Sequence, residues 1–204
     1  LKKLNIPSIV IQEGPLDFED SINRMKSADH AFLQGPEMIK YFDRSKNVYV
    51  TGNPKYSIGK KTQLPKKHNV MINSNFTYNV YEEHRDRWVK DCVDACNILN
   101  LNYFISTHPR DNGNYPSSYN VIDSNAFKVK DQLDKSTILI SRFSTLIYEM
   151  IAFGRDSIYH NPHNEPFPFF QKDKSKGIYK SNSLETLVDA IDSIINRKDD
   201  LLKQ

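Results

Sequence analysis

Between residues 69 and 200, short apolar runs alternate with segments of helical period, and this alternation limits the fold more than any other feature of the chain. NVMIN (69–73), YFIST (103–107), YNVID (119–123), STILIS (136–141) and DSIYH (156–160) have the length and β-branched or aromatic content of strands. Segments 80–99, 126–133, 144–154 and 184–200 read as helices, the longest with its apolar residues near one face. Gly154 closes the third of them, and Ser183 opens the last as an N-cap. Such alternation predicts an α/β fold, a Rossmann-like parallel sheet flanked by helices on both faces. Sheets of this kind bind ligands beyond the carboxyl ends of their strands. Chemistry is therefore expected in the residues that follow each strand.

Upstream, residues 6–12, 28–35 and 47–54 read as three more strands, with a helix entered through Pro36 after the second. Gly52-Asn53-Pro54 ends the third with strong turn chemistry. Residues 55–68 lack periodicity and read as a linker, which divides the chain into domains at 1–56 and 57–204. The stretch GKKTQLPKKH (59–68) holds Lys60, Lys61, Lys66, Lys67 and His68. It reads as a solvated loop, or more sharply as a lure for phosphate or an anionic membrane surface. A net charge of +3 is too weak to argue for a nucleic-acid partner. The 204 residues, 38% of them hydrophobic, suffice for a sizeable core. Cys92 and Cys96 share a helix face at a spacing unsuited to a disulfide. With no further ligand pattern around them they read as core residues of a reducing compartment, not as a metal site. No apolar run approaches the ~20 residues of a membrane span, so a cytoplasmic location is expected.

Four polar constellations follow strands. STHPRDNG (106–113) places His108 and Arg110 around Pro109, which stiffens the backbone, and ends in a turn. Both side chains can donate charge-assisted bonds to phosphate oxygens. SRFSTLIYEM (141–150) brings Arg142, Ser144 and Thr145 to the start of a helix, where unpaired N–H groups and the helix dipole favour an anion. Glu149 lies one to two turns further on and suits ribose hydroxyls. Glu13 ends the first strand, where a carboxylate with a raised pKa can act as general base towards a hydroxyl acceptor. In YHNPHNEPFPFF (159–170), His160, His163 and Glu165 lie among prolines and read as a loop lining a ligand; their spacing fits no standard metal site. Each constellation also has a plain reading: a capped strand, an N-cap serine, a surface glutamate, a turn and a packed loop. Walker, G-x-G-x-x-G, G-x-S-x-G and HExxH motifs are absent, which removes support from the usual ATPase, NAD and hydrolase readings.

The sequence VTGNP, a linker, a long helix, STHPR and then SRFSTLIYEMIAFGRDSIYHNP resembles the carboxyl-terminal half of GT-B glycosyltransferases. Within that group it is most similar to enzymes with cytidine-activated donors: bacterial sialyl- and polysialyltransferases, Kdo transferases of capsule and lipopolysaccharide synthesis, and CDP-glycerol glycerophosphotransferases. His108-Pro109 matches the His-Pro motif of the sialyltransferases, and Ser144-Thr145 matches their Ser-Ser/Thr motif. Gln12-Glu13-Gly14 matches the acidic-acidic-Gly motif in part, since Gln12 stands at the first acid. The resemblance spans roughly residues 28–197. It implies that His108, Ser144 and Thr145 hold the donor phosphate and that Glu13 is the acidic catalytic residue. It further implies a larger acceptor-side domain, of which residues 1–56 would be the tail end. The implied partners are a nucleotide-sugar donor and a glycan or glycolipid acceptor, with no other cofactor. Two alternatives stand beside it: a UDP-sugar enzyme of the UDP-N-acetylglucosamine 2-epimerase type, and a non-catalytic GT-B scaffold module.

Overall fold

A computed structural model describes residues 4, 6–12, 14, 23, 25–42, 47–54, 65, 67–123, 128–167 and 176–202. They fall into two units: Leu1–Gly59 with Phe167–Lys172, and Lys60–Pro166 with Asp173–Gln204.

The first unit contains a three-stranded parallel sheet of β1 (Ile9–Ile11), β2 (His30–Leu33) and β3 (Asn47–Val50), in that order. Alternation along the strands gives the sheet two unlike faces. Ala31 and Leu33 are buried with Met25, Met38 and Phe42. On the other face Ile9 and Ile11 are exposed, and Phe32 stacks on Tyr49 at 5.2 Å. The side chain of Gln12 links the ends of β1 and β2. Its Oε1 accepts from the Gln34 N–H at 2.9 Å, and its Nε2 donates to the Gly14 carbonyl at 2.8 Å. A carboxylate could accept the first bond but not donate the second, a physical reason for Gln12 where the related motif has an acid. Glu13 lies outside the described residues.

The second unit is built on a six-stranded, wholly parallel sheet. Its strands are β4 (Asn69–Ser74), β5 (Asn102–Thr107), β6 (Val121–Asp123), β7 (Ile138–Ser141), β8 (Asp156–His160) and β9 (Ile178–Ser181). Their order across the sheet is β6-β5-β4-β7-β8-β9. Among the described residues four α-helices accompany them: α1 (Arg85–Ile98), α2 (Lys128–Asp134), α3 (Leu146–Ala152) and α4 (Leu184–Leu202). Strands covered on both faces carry continuous apolar runs, and β7 and β8 are buried along their whole length. Val70, Ile72, Ile105, Ile138, Ile140 and Ile158 form a core with Trp88, Val89, Cys92, Val93 and Cys96 of α1 and Leu187, Ile191 and Ile194 of α4. α3 packs against β7 and β8, and Ser106 of β5 donates to Gln132 of α2 at 2.7 Å. The α/β fold expected from the sequence is therefore present. Strand β9 was not anticipated: its four residues directly follow Gly177, whose φ of +93° marks a turn, and carry too little periodicity to stand out.

Both cysteines are buried thiols. Burial pushes the Cys92 thiol well up and the Cys96 thiol up to about 12. Neither forms a thiolate near neutral pH, and a disulfide-exchange reagent needs a thiolate. Labelling at pH 8 should therefore proceed at the rate of global unfolding; a fast phase in native protein would contradict this core.

Candidate functional site at the carboxyl edge of the six-stranded sheet

The chain runs from β4 outwards to β5 and β6, then returns to β7 on the other side of β4 and continues outwards to β8 and β9. The order of travel thus reverses between β4 and β7, and ligands of doubly wound sheets bind at such a reversal. The loops after β4 and β7 meet there. Asn75 Nδ2 donates to the Phe143 carbonyl at 2.8 Å. Asn75 Oδ1 is buried without a hydrogen-bond partner among the described residues.

The loop after β4 has no glycine. Tyr78, Asn79 and Tyr81 instead adopt left-handed backbone with φ of 61°, 58° and 58°. Non-glycine residues in this region cost about 1–3 kcal/mol each and persist only where their surroundings impose the shape. Arg142 supplies much of that imposition. Its side chain is fully buried. Nε donates to Glu165 Oε1 at 2.6 Å, Nη1 to the Asn75 carbonyl at 3.4 Å and Nη2 to the Val80 carbonyl at 3.3 Å. The guanidinium also lies 3.9 Å from the centre of the Phe76 ring. Burial pushes the Glu165 carboxyl up and the Arg142 guanidinium down, and their mutual contact opposes both shifts.

This corrects the expectation for two residues. Arg142 does not offer its charge to a donor phosphate, because three of its N–H groups are committed inside the protein and solvent does not reach it. Glu165 does not line an open pocket but is the partner of that guanidinium. His160 is corrected as well. Its ring is buried, Nδ1 lies 2.9 Å from Ser181 Oγ, and desolvation pushes its pKa down to about 3. Its carbonyl accepts from the Trp88 indole at 3.0 Å, so it belongs to the core. His163 is half-buried and stacks on His84 with ring centres 4.0 Å apart. Burial first, then the nearby His84 and Arg142, push its pKa down to about 4.

The His-Pro loop follows β5, on the other side of β4. The His108 N–H donates to the Ser74 carbonyl at 2.9 Å, and the Arg110 N–H donates to His108 Nδ1 at 3.1 Å. With Nδ1 accepting, the neutral ring carries its proton on Nε2. Burial, and then the adjacent Arg110, hold the His108 pKa below its usual value; Asp111 opposes them. Arg110 Nη1 donates to the Tyr78 hydroxyl at 2.6 Å, and the Tyr78 ring meets the His108 ring edge-on at 6.4 Å. His108, Arg110 and the exposed Tyr78 therefore form one cluster.

Asp111 anchors this cluster from beneath. Its carboxylate accepts from the Ser74 hydroxyl at 3.0 Å, the Tyr115 hydroxyl at 2.7 Å and the Gly113 N–H at 2.9 Å. It also pairs with Arg85 Nε at 3.2 Å. A Cβ at Gly113 would sit 2.6 Å from Arg85 Cδ, so a larger residue there would push the Arg85 side chain aside from Asp111. Stiffness of the loop thus comes from Asp111 as much as from Pro109. Sequence reasoning saw Asp111 only as a turn residue and passed over Tyr78, Asn75, Arg85 and Tyr115.

Ser144 and Thr145 precede α3, as expected. Ser144 Oγ accepts from the Leu146 N–H at 3.3 Å, whereas Thr145 makes no side-chain cap bond. Glu149 sits one turn into this seven-residue helix, partly buried. β4 lies between the strands that deliver His108 and Ser144, so their loops flank the switch-point loop from both sides. Of the basic stretch 59–68, Lys60, Lys61 and Lys66 lie outside the described residues. No described helix is long and apolar enough to cross a membrane. Among the described residues, no group of three or more His, Cys, Asp or Glu side chains is arranged to hold a metal ion.

No protein-family model matches the chain, and no curated protein matches it in sequence. Solved structures do. The wall teichoic acid polymerase TagF is similar over 94% of this chain and 58% of its own, with a TM-score of 0.58 and 16% identity. A TagF structure soaked with CDPG matches over 87% of this chain and 53% of its own, with a TM-score of 0.52 and 14% identity. The UDP-GlcNAc 2-epimerase of Methanocaldococcus jannaschii, in complex with UDP-GlcNAc and UDP, matches over 95% of this chain and 64% of its own, with a TM-score of 0.68 and 12% identity. The chain spans less than two thirds of the length of each. At these identities the likeness shows the fold, which is of the GT-B type.

Replacing Arg142 with Met takes from the buried Glu165 carboxylate the guanidinium that donates to it at 2.6 Å. Urea unfolding should show a loss of about 3–5 kcal/mol. Arg142→Met combined with Glu165→Leu should recover most of it, because both charges are then gone. A single variant as stable as the parent would refute the strut role of Arg142.

Proposed function

We propose that this chain is the donor-binding half of a glycosyltransferase that takes a sugar from a CMP- or CDP-linked donor in bacterial surface polysaccharide synthesis. The observation that carries the reading is the cluster of His108, Arg110 and Tyr78 beside the switch point between β4 and β7. The neutral His108 ring offers Nε2–H, and Arg110 adds a fixed positive charge. Both suit a phosphate that gains negative charge as it leaves the sugar. Fixed donors of this kind stabilise a leaving group without reorganising, and charge-assisted bonds are the stronger class. In this reading Ser144 and Thr145 hold the phosphate from the far side of the β4 loop, and Glu149 accepts from the ribose. Glu13 takes the acceptor proton as general base. The acceptor is a glycan or glycolipid, no further cofactor is needed, and residues 59–68 rest against an anionic membrane at its cytoplasmic face. TagF, soaked with CDPG, supports the cytidine donor.

A UDP-sugar enzyme of the 2-epimerase type is the second reading. It is favoured by the higher TM-score of 0.68 with the epimerase that holds UDP-GlcNAc and UDP.

Calorimetric titration of this chain and its His108→Ala variant with CMP, CDP and UDP separates the two. A cytidine nucleotide should bind tightest. The variant should lose about 10- to 150-fold in affinity, the worth of one charge-assisted bond of roughly 1.5–3 kcal/mol. Preference for UDP would favour the epimerase reading, and equal affinity of parent and variant would remove His108 from the phosphate site.

A further inference from the structure

The α2 side of the sheet holds a second concavity, far along the strands from the switch-point loops. It opens towards the amino ends of β4 and β5 and has a volume of about 690 Å³. That lies within the roughly 300–1,000 Å³ of small-molecule sites. Phe104 and Ile122, the latter 38% exposed on the short edge strand β6, give it apolar surface. Parallel sheets normally cover such residues, yet among the described residues the seven of α2 leave Ile122 partly exposed.

The polar groups around it are basic on balance. Lys67 and Lys135, both exposed, contribute two ammonium groups to the lining, and Asp131 contributes one carboxylate. In the sequence Lys67 closes a run that already contains Lys60, Lys61 and Lys66. The lining also includes the Gln132 amide, which is 6% exposed. Its Oε1 accepts from Ser106 Oγ at 2.7 Å, while its Nε2 has no hydrogen-bond partner among the described residues. A buried donor without a partner costs about 1–3 kcal/mol, and this nitrogen is closed to solvent, so Gln132 forms the floor of the concavity and not one of its open donors.

We propose that this concavity is a second binding site, for a phosphate monoester carried on an apolar body. Lys67 and Lys135 take the phosphate, and Phe104 and Ile122 take the body. Such a ligand is either a soluble phosphorylated metabolite or the headgroup of an anionic lipid, and the two share this chemistry. The site lies away from the nucleotide rim, so the proposal stands or falls independently of the donor reading.

The test uses the whole chain and two probes: phenyl phosphate in solution, and phosphatidylcholine vesicles containing phosphatidate. Phenyl phosphate should shift the side-chain amide signals of Gln132 and Asn102, and it should bind more tightly than inorganic phosphate. The Lys67→Ala/Lys135→Ala variant, altered only at exposed positions, should weaken binding by about 10-fold or more. Vesicle binding that needs the same two lysines, without response to phenyl phosphate, would assign the site to a lipid headgroup. Three results would overturn the proposal: shifts confined to His108 and Tyr78, inorganic phosphate binding as tightly as phenyl phosphate, or both probes indifferent to the two lysines.

Discussion

One buried guanidinium organises the carboxyl edge of this sheet. Arg142 leaves β7, reaches across to the carbonyls of Asn75 and Val80 after β4, and closes on Glu165 beyond β8. Three loops from three neighbouring strands are thereby tied to one planar group. Desolvating such a pair costs several kcal/mol per ion, and the net return on stability is often small. The bonds are spent on shape. They help hold Tyr78, Asn79 and Tyr81 in backbone that few residues adopt, and Tyr78 then meets Arg110 and His108 of the next loop.

The His-Pro loop has a matching anchor. Asp111 gathers two hydroxyls, a backbone N–H and Arg85 beneath it, so the His108 ring is set from both sides of its own turn. A neutral imidazole with Nδ1 occupied by a backbone N–H can only donate from Nε2. That single donor, next to a permanent cation, is a plain recipe for a phosphate oxygen. The fold alone would not justify this reading, because doubly wound sheets host many chemistries. Its support is the placement of these particular side chains beside the topological switch.

The architecture was largely legible in the sequence because strands covered on both faces must be apolar throughout. The run 136–141 shows this directly, and β7 is buried at every residue. The rim was legible only in part. His108, Arg110, Ser144 and Thr145 follow strands, and position in the chain is enough to put them at the edge. Burial is not visible in the same way. Arg142 reads as a ligand for an anion because a cation after a strand is the expected phosphate signal, and only packing reveals that Glu165, 23 positions later, consumes it. His160 fails for the same reason: its ring sits at the end of a strand whose last residue still belongs to the core. Tyr78 escaped notice because a left-handed tyrosine has no local signature; the loops around it impose that conformation.

The most direct test of the account is the protonation pattern of the His108 imidazole, read by two-bond nitrogen–proton NMR with and without CDP. The account predicts a neutral ring at pH 7.5, with Nδ1 unprotonated and Nε2 protonated, and a marked shift of Nε2 on adding CDP. A ring protonated on Nδ1, or an Nε2 signal that saturating CDP leaves unmoved, would contradict the claim that this loop is a platform for the donor phosphate.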